Sequence, residues 1–385
     1  MKVLVIIPEF PLNLENIQGG VSSALSNLLY GFSHSDITVT VVSFNRNIKK
    51  LIVINYSPNI EINYVPEGKF PHVFNFLFKG SFVIKKYIRQ FNPDIVHYAM
   101  SGYILLTKVF GLSGKVYLVT VHGIAFLEAK QKKELKQKLV CYTNGIVEKL
   151  LCPKNIIHIS KYSLSLFNKK KKDIITIIPN AIHPGYFKLP LKIVTNNKLV
   201  FVGGIEANKN ILYLLKTLKV LVQKNFLFSL DVLGDYIDAA YKQEVLSFIQ
   251  ENKLEKYITF HGWVNQQRLQ QVLTQSDILI VCSKQETLPM VIAEAMSAGK
   301  VVVSSSVGGI PEMITHESDG FLYDLANVES LVCTLERLHN NSKLVQQIQS
   351  GAREKVLVKY SSKHVAEKTI SWYSSLLLAK SGYKS

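Results

Sequence analysis

The sequence predicts two doubly wound α/β domains, each an open parallel sheet with helices on both faces. Three observations carry that expectation. A chain of 385 residues is too long for one compact core, so two domains are the default. Short runs rich in Val and Ile alternate with amphipathic segments throughout, the pattern of parallel strands buried on both faces. The alternation falls into two sets joined by "IPNAIHPGYFKLPLKIVTNNK" (178–198), a stretch broken by prolines and polar residues. With 48% hydrophobic and 10% aromatic residues, the composition supports packed cores and argues against a disordered chain.

In the first set, "VLVIIP" (3–8) reads as a buried strand and not a signal peptide. Its apolar run is short, and Pro8 and Glu9 follow at once. Further strands are expected at "ITVTVVSF" (37–44), "EINYVP" (61–66), "DIVHYA" (94–99), "VYLVTVH" (116–122), "IIHIS" (156–160) and "ITIIPN" (175–180), with helical patterns over 19–32 and 82–91. The second set repeats the habit: "KLVFVGG" (198–204), "FSLDVLG" (228–234), "ITFHGW" (258–263), "DILIVCS" (277–283) and "KVVVSSS" (300–306) alternate with helices near 211–224, 239–253, 266–276 and 289–298. No short-period repeat or low-complexity tract interrupts them.

Several classes are set aside on composition. No apolar stretch is long enough to span a bilayer, since Lys79 breaks the best candidate, "VFNFLFKGSFVI". Cys141, Cys152, Cys282 and Cys333 are scattered without CxxC spacing and read as reduced, mostly buried thiols. The net charge of +17 is uneven: residues 1–192 carry 25 Lys and Arg against 10 Asp and Glu, whereas residues 193–385 carry 20 against 18. A basic half invites an anionic partner, nucleic acid or an acidic membrane face. The run "KKKK" (169–172), beside Asp173, reads as a solvated loop.

In open parallel sheets ligands bind beyond the carboxyl ends of the strands, so the expected site is the cleft between the two domains. The stretch "SKQETLPMVIAEAMSAGK" (283–300) leaves such a strand end. Pro289 suits the first position of a helix, which leaves the N–H groups of Met290, Val291 and Ile292 as unpaired donors, a seat for phosphate. Glu294, one turn in, is placed to reach a ribose hydroxyl pair. Glu286, on the loop before the helix, is placed for a group further along the same ligand. A sugar nucleotide has that form. The other reading stays open on this stretch alone, because glutamate in the first turns of a helix complements the macrodipole and loop glutamates are common.

The longer stretch "ETLPMVIAEAMSAGKVVVSSSVGGIPEMI" resembles the signature of the family 4 glycosyltransferases of GT-B fold, with Glu-x7-Glu, Ala-Met, Gly, a buried strand and Gly-Gly-x-Pro-Glu in order. "FVGGIEANKN" is similar to the family's strand and phosphate loop with its lysine, here Lys209. "LDVLGDY", "ITFHGWV", "IIPNAIHPGYF", "HISKYSLSLF", "TVHG" and "QGGVSSALSNLL" follow the family's remaining segments, so the resemblance covers nearly the whole chain in the right order.

The resemblance implies two Rossmann-like domains facing across a cleft: residues 1–188 for the acceptor, completed by a C-terminal helix at about 363–385, and residues 195–362 for the nucleotide-sugar donor. It implies donor contacts from Gly19, Gly20, Gly204, Lys209, Met290, Val291 and Glu294, and catalytic parts for His122, Lys209 and Glu286. Glu294 stands as the ribose ligand. Lys209 and the N–H groups of Met290 and Val291 stand as diphosphate ligands, Glu286 contacts the sugar hydroxyls, and His122 lies near the sugar's reacting end. One departure is plain: the family's usual arginine before the lysine is Gly204 here, and a single ammonium does not replace a guanidinium fork.

No Asp-x-Asp motif stands where a donor would sit, so no metal or other cofactor is expected. The other histidines, His34, His72 and His97 among them, fit no ligand spacing and take no role. The implied activity is retaining transfer of a hexose-type sugar from a nucleotide-diphosphate sugar to a saccharide or lipid-linked saccharide in cell-envelope polysaccharide synthesis. Rival readings are a sugar-nucleotide epimerase of the same fold and a donor-binding-defective partner subunit, which Gly204 favours. Nucleic acid is not an expected partner, since the basic half has no reader motif. The segments 72–91 and 129–151 mix lysines with apolar residues at helical spacing. They read either as core-facing helices with solubilising lysines or as docking elements for an anionic membrane. The second reading gives a cytoplasmic enzyme lying peripherally on the inner membrane face.

Overall fold

The computed structural model describes residues 1–68, 71–109, 113–123, 135–167, 170, 172–191 and 197–382. Residues 129–134 of the second amphipathic segment, 169 and 171 of the lysine run and 192–196 of the linker lie outside them. The chain forms two units, Met1–Ala181 with Ser362–Ser385, and Ile182–Ser361.

The first unit is built on an eight-stranded sheet. Its strands are β1 (Lys2–Ile7), β2 (Thr38–Asn45), β3 (Ile52–Ser57), β4 (Ile60–Pro66), β5 (Ile95–Tyr98), β6 (Val116–Val121), β7 (Asn155–His158) and β8 (Ile174–Ile177), in the order β3-β4-β2-β1-β5-β6-β7-β8. Every pairing is parallel except β3 with β4. Val3, Val5 and Ile7 of β1 meet one core and Leu4 and Ile6 the other, as a strand covered on both faces requires. β3 was not expected. It folds back on β4 through Pro58-Asn59, and it lies at the edge with Leu51, Ile52 and Val53 exposed, so burial gives it no signature.

The helices of this unit are α1 (Gly20–Phe32), α2 (Ser81–Phe91, entered through a turn at His72–Phe74 and a π-helical stretch at Asn75–Gly80), α3 (Leu135–Leu151) and α4 (Lys161–Leu166). Segment 72–91 has two apolar faces. Phe76, Ile84 and Ile88 are buried in the core, while Phe74, Phe78 and Phe82 are exposed in a stripe beside Lys79, Lys86 and Arg89. Along α3, Leu135, Leu139, Tyr142, Ile146 and Leu150 are exposed as well.

The second unit has a six-stranded, all-parallel sheet of β9 (Lys198–Val202), β10 (Ser229–Leu233), β11 (Ile258–Gly262), β12 (Ile278–Val281), β13 (Val301–Ser305) and β14 (Phe321–Tyr323). Their order is β11-β10-β9-β12-β13-β14. Its helices are α5 (Ile211–Gln223), α6 (Ala239–Glu251), α7 (Gln266–Gln275), α8 (Met290–Ser297), α9 (Val328–His339) and α10 (Ser342–Tyr360). β14, α9 and α10 were not among the expected elements. The final helix, α11 (Ser362–Ser381), returns to the first unit, where Tyr373 is buried and its hydroxyl meets His97 Nδ1 at 2.6 Å. Residues 182–188 belong to the second unit, with Tyr186 buried there. Among the described residues no helix is long and apolar enough to cross a membrane.

Candidate functional site

Three loops meet at the carboxyl edge of the second sheet. The loop after β9 runs through Gly203 and Gly204 to Lys209, the loop after β12 carries Glu286, and the loop after β13 carries Gly308 and Gly309. Hydrogen bonds tie them together. The Lys284 N–H donates to the Asn208 carbonyl (2.8 Å), the Asn208 amide donates to the Gln285 carbonyl (3.1 Å), and the Gly309 N–H donates to the Glu286 carbonyl (3.0 Å). Gly308 has φ 56°, and a Cβ there would lie 1.9 Å from the Glu286 carbonyl oxygen, so only glycine lets these two loops touch.

Fixed in this way, Glu286 turns its side chain to Lys209. The ammonium donates to Oε1 at 2.5 Å and the Ser283 hydroxyl to the same oxygen at 2.7 Å. The pair is largely shielded, with 28% of the lysine and 12% of the glutamate side chain exposed. Two residues read from the sequence as ligands of different parts of one molecule are thus hydrogen-bonded to each other. The lysine stem lies over Gly203, its Cε 3.6 Å from where a Cβ would be. At Gly204 a Cβ would meet the Ile237 side chain at 3.0 and 3.2 Å, so an apolar group occupies the space beside the missing arginine's position.

α8 begins one residue later than expected. Pro289 is extended, with φ −70° and ψ 113°, and serves as N-cap instead of first helical residue. The phosphate seat is correspondingly smaller: the Ile292 N–H is taken by the Pro289 carbonyl (3.2 Å), and among the described residues nothing on the backbone accepts from Met290 or Val291. One turn on, Glu294 is half-buried, and the Tyr186 hydroxyl donates to its carboxylate. Burial raises the Glu294 pKa to about 7, against the opposing effect of that hydrogen bond. Tyr186 carried no predicted role. Its signal was its place in "IIPNAIHPGYF", one of the segments matched to the family.

Gly19, Gly20 and His122 lie in the first unit. Gly19 is the N-cap of α1 with φ 86°, and a Cβ on either glycine would meet nothing within 4 Å, so the backbone there is open to close approach. His122 Nε2 lies 3.0 Å from the Ala99 carbonyl. A carbonyl only accepts, so Nε2 carries the proton and Nδ1, which is buried with no partner among the described residues, keeps its lone pair. Burial pushes the ring's pKa down to about 4, so the imidazole is neutral near pH 7. The residue can accept a hydrogen bond there but is not an acid. With His97 it lines a cavity of about 40 Å³. Among the described residues no cluster of His, Cys, Asp and Glu has the makings of a metal site.

Comparison with known proteins shows the family and the fold. The family model described as Glycosyltransferase Family 4 matches residues 18–186, and the one described as Glycosyl transferases group 1 matches residues 187–355. An uncharacterized glycosyltransferase of Methanocaldococcus jannaschii is 28% identical over 54% of this chain and 56% of its own length. The UDP-Gal:alpha-D-GlcNAc-diphosphoundecaprenol alpha-1,3-galactosyltransferase of Escherichia coli is 25% identical over 78% of this chain and 80% of its own. Thus the match spans little more than half of the archaeal relative. The solved structure of sucrose-phosphate synthase from Thermosynechococcus elongatus superposes with a TM-score of 0.80 at 18% identity, covering 98% of this chain and 99% of that one. This likeness identifies the fold as GT-B.

Proposed function

The chain belongs to the family 4 glycosyltransferases, and from that premise we propose a retaining transfer of a hexose-type sugar. The donor is a nucleotide-diphosphate sugar held by the second unit. The acceptor is a saccharide or lipid-linked saccharide held by the first, in the assembly of a cell-envelope polysaccharide. The observation that carries the reading is the grouping on one sheet edge of the Lys209–Glu286 pair, the two available N–H groups of α8 and the half-buried Glu294. The E. coli relative, a galactosyltransferase using UDP-Gal and a diphosphoundecaprenol-linked acceptor, supports the same donor and acceptor classes.

In this mechanism the bond from the anomeric carbon to the diphosphate oxygen breaks, and a bond to the acceptor hydroxyl oxygen forms. The hydroxyl proton passes to the departing diphosphate. Lys209 and the α8 N–H groups meet the negative charge that gathers on the leaving group, fixed donors of the kind that stabilise developing charge. Glu286 accepts hydrogen bonds from the sugar hydroxyls, Glu294 accepts from the ribose, and neutral His122 accepts from a hydroxyl near the reacting carbon. No metal is assigned, and activity should persist in EDTA; loss on chelation with recovery in Mg²⁺ or Mn²⁺ would contradict that.

The exposed stripe Phe74, Phe78 and Phe82 beside Lys79, Lys86 and Arg89 supports peripheral binding to an anionic membrane on its cytoplasmic face. Co-sedimentation with anionic but not zwitterionic vesicles, weakened by salt, is the expected result; indifference to both at low salt points to a soluble acceptor. The main test is incubation with a panel of radiolabelled sugar nucleotides, with and without a lipid extract. Transfer that needs the extract supports the reading, product without any acceptor points to an epimerase, and no turnover with any donor points to a partner subunit, the reading that Gly204 favours.

A further inference from the structure

Tyr186 lies on a short turn, Pro184–Lys188, near the start of the second unit. The backbone there is tied down on both sides of it. His183 Nδ1 caps the turn by accepting from the Gly185 N–H at 3.1 Å, and the Tyr186 N–H donates to the His183 carbonyl at 3.2 Å. The Arg353 guanidinium of α10 donates to the Phe187 carbonyl. The turn packs on α8, and Tyr186, only 1% exposed, donates its hydroxyl to the Glu294 carboxylate.

That choice of partner is unlike those of other buried tyrosines in the unit. The Tyr323 hydroxyl donates to the Val281 carbonyl at 2.9 Å, and the Tyr213 hydroxyl to the Asn327 carbonyl at 2.8 Å. Tyr186 instead meets an ionisable group that burial drives toward its neutral form, and its hydrogen bond opposes that drive. No cation shares the task among the described residues. β13, which packs on α8, has no titratable side chain. On α10, Arg353, Lys355 and Lys359 are turned to the Phe187 carbonyl, Asp319 and the Glu312 carbonyl, and Lys188 of the turn bears on His183. A carboxylate accepts at about four sites. Tyr186 fills one of them, and Glu294 keeps part of its surface exposed.

We propose that Tyr186 is a positioning residue of the donor site, holding one oxygen of Glu294 so that the other is presented as an acceptor to the ribose of a nucleotide. The inference rests on the assignment of Glu294 to the ribose made above. A partnerless glutamate on α8 would be free to change rotamer and to take up a proton, and a protonated carboxyl aims a donor at hydroxyls that are themselves donors. A hydroxyl carried on a packed ring removes both freedoms, as a precise site requires of the residues behind its ligands.

The test follows the Glu294 carboxyl carbon by NMR on the full chain, from about pH 5 to about pH 9, beside calorimetry with UDP, GDP and ADP and their 2′-deoxy forms. Wild type should titrate at about 7. Tyr186→Phe keeps the ring and removes the hydroxyl, so its midpoint should move up, the carboxylate having lost the bond that favours it. At about pH 8 wild type should prefer its nucleotide over the 2′-deoxy form roughly tenfold, the scale of a hydrogen bond to a charged group, and in Tyr186→Phe that preference should shrink toward one. Tyr323→Phe, the same deletion at a hydroxyl held by backbone, should change neither. A midpoint unmoved in Tyr186→Phe overturns the proposal whatever the nucleotides do. A moved midpoint with undiminished ribose preference overturns it too, since the contact would then position nothing. If wild type binds none of the nucleotides while the midpoint still moves, the donor reading falls and takes the ribose role with it, a failure distinct from the other two.

Discussion

Gly308→Ala is the sharpest probe of how the donor-side loops are held. At φ 56° an alanine costs roughly 1–2 kcal/mol more than glycine. The new Cβ would also start 1.9 Å from the Glu286 carbonyl oxygen, and real contacts essentially never fall under 3.0 Å, so the loops must part by more than an ångström. No rotamer change relieves a clash with backbone. The Gly309–Glu286 hydrogen bond is lost with it, a further ~1 kcal/mol. Together about 2–3 kcal/mol should lower the melting temperature by roughly 4–12 °C for a unit of this size. Gly262→Ala, in the same unit, is the control. Its φ of 67° carries the same strain, but its Cβ would meet only the Asp235 side-chain oxygen, at 3.2 Å. Displacing Glu286 from Lys209 should cost roughly 10²-fold in turnover, the scale of a 1 Å misplacement. The assays are thermal unfolding and initial rates. If Gly308→Ala melts no lower than Gly262→Ala and keeps its turnover, the loop contact does not position Glu286.

Lys209→Ala should lower turnover by roughly 10²–10³, the scale of one preorganised charge stabiliser, and wild-type rates would place the clamp elsewhere. Because Glu294 ionises near pH 7, nucleotide affinity in calorimetry should rise from about pH 6 to about pH 8 as the carboxylate becomes able to accept from the ribose; an equal rise in Glu294→Gln would remove that assignment. His122, with its folded pKa lowered to about 4, contributes stability that is fully present above its unfolded value near 6.5 and lost as pH falls towards about 4. His122→Gln should therefore lose less melting temperature over that acid range than wild type, and parallel curves would contradict the burial argument. Gly204→Arg, which needs only Ile237 to give way, should lower the donor KM with little change in kcat, read from initial rates; a raised KM would mean the side chain cannot be seated.

The two sheets were legible because strands buried on both faces leave continuous apolar runs, and every such run expected from the sequence became a strand. β3 escaped because it is an exposed edge, and β14 because three residues leave no periodicity to read. The residues proposed for the donor were legible as a motif, but the pairing of two of them was not. Nothing in the spacing of Lys209 and Glu286, 77 positions apart, says that they share a proton-bearing contact, because that depends on how three loops are lashed together. The Tyr186–Glu294 contact was invisible for a related reason. Tyr186 follows a Pro-Gly pair, and a tyrosine there looks like any turn residue until the fold buries it against α8.

The Lys209–Glu286 pair bears on what the loss of an arginine does to catalysis. A free ammonium would bind the ground-state diphosphate and the departing one alike, and uniform binding of that kind lowers KM without raising kcat. Here the ammonium is already held by a carboxylate at 2.5 Å, so under the proposed reading a donor phosphate would have to compete for it. The competition turns in the phosphate's favour as the sugar–oxygen bond stretches and negative charge accumulates, while Glu286 is drawn toward the hydroxyls of a sugar turning cationic. On the proposed roles, both members of the pair would gain their new partners most strongly in the transition state. Ile237 lies beside Gly204, so no guanidinium from that position adds to the ground-state grip. On the proposed roles, the arrangement would trade donor affinity for interactions made late, which is where they accelerate the chemical step.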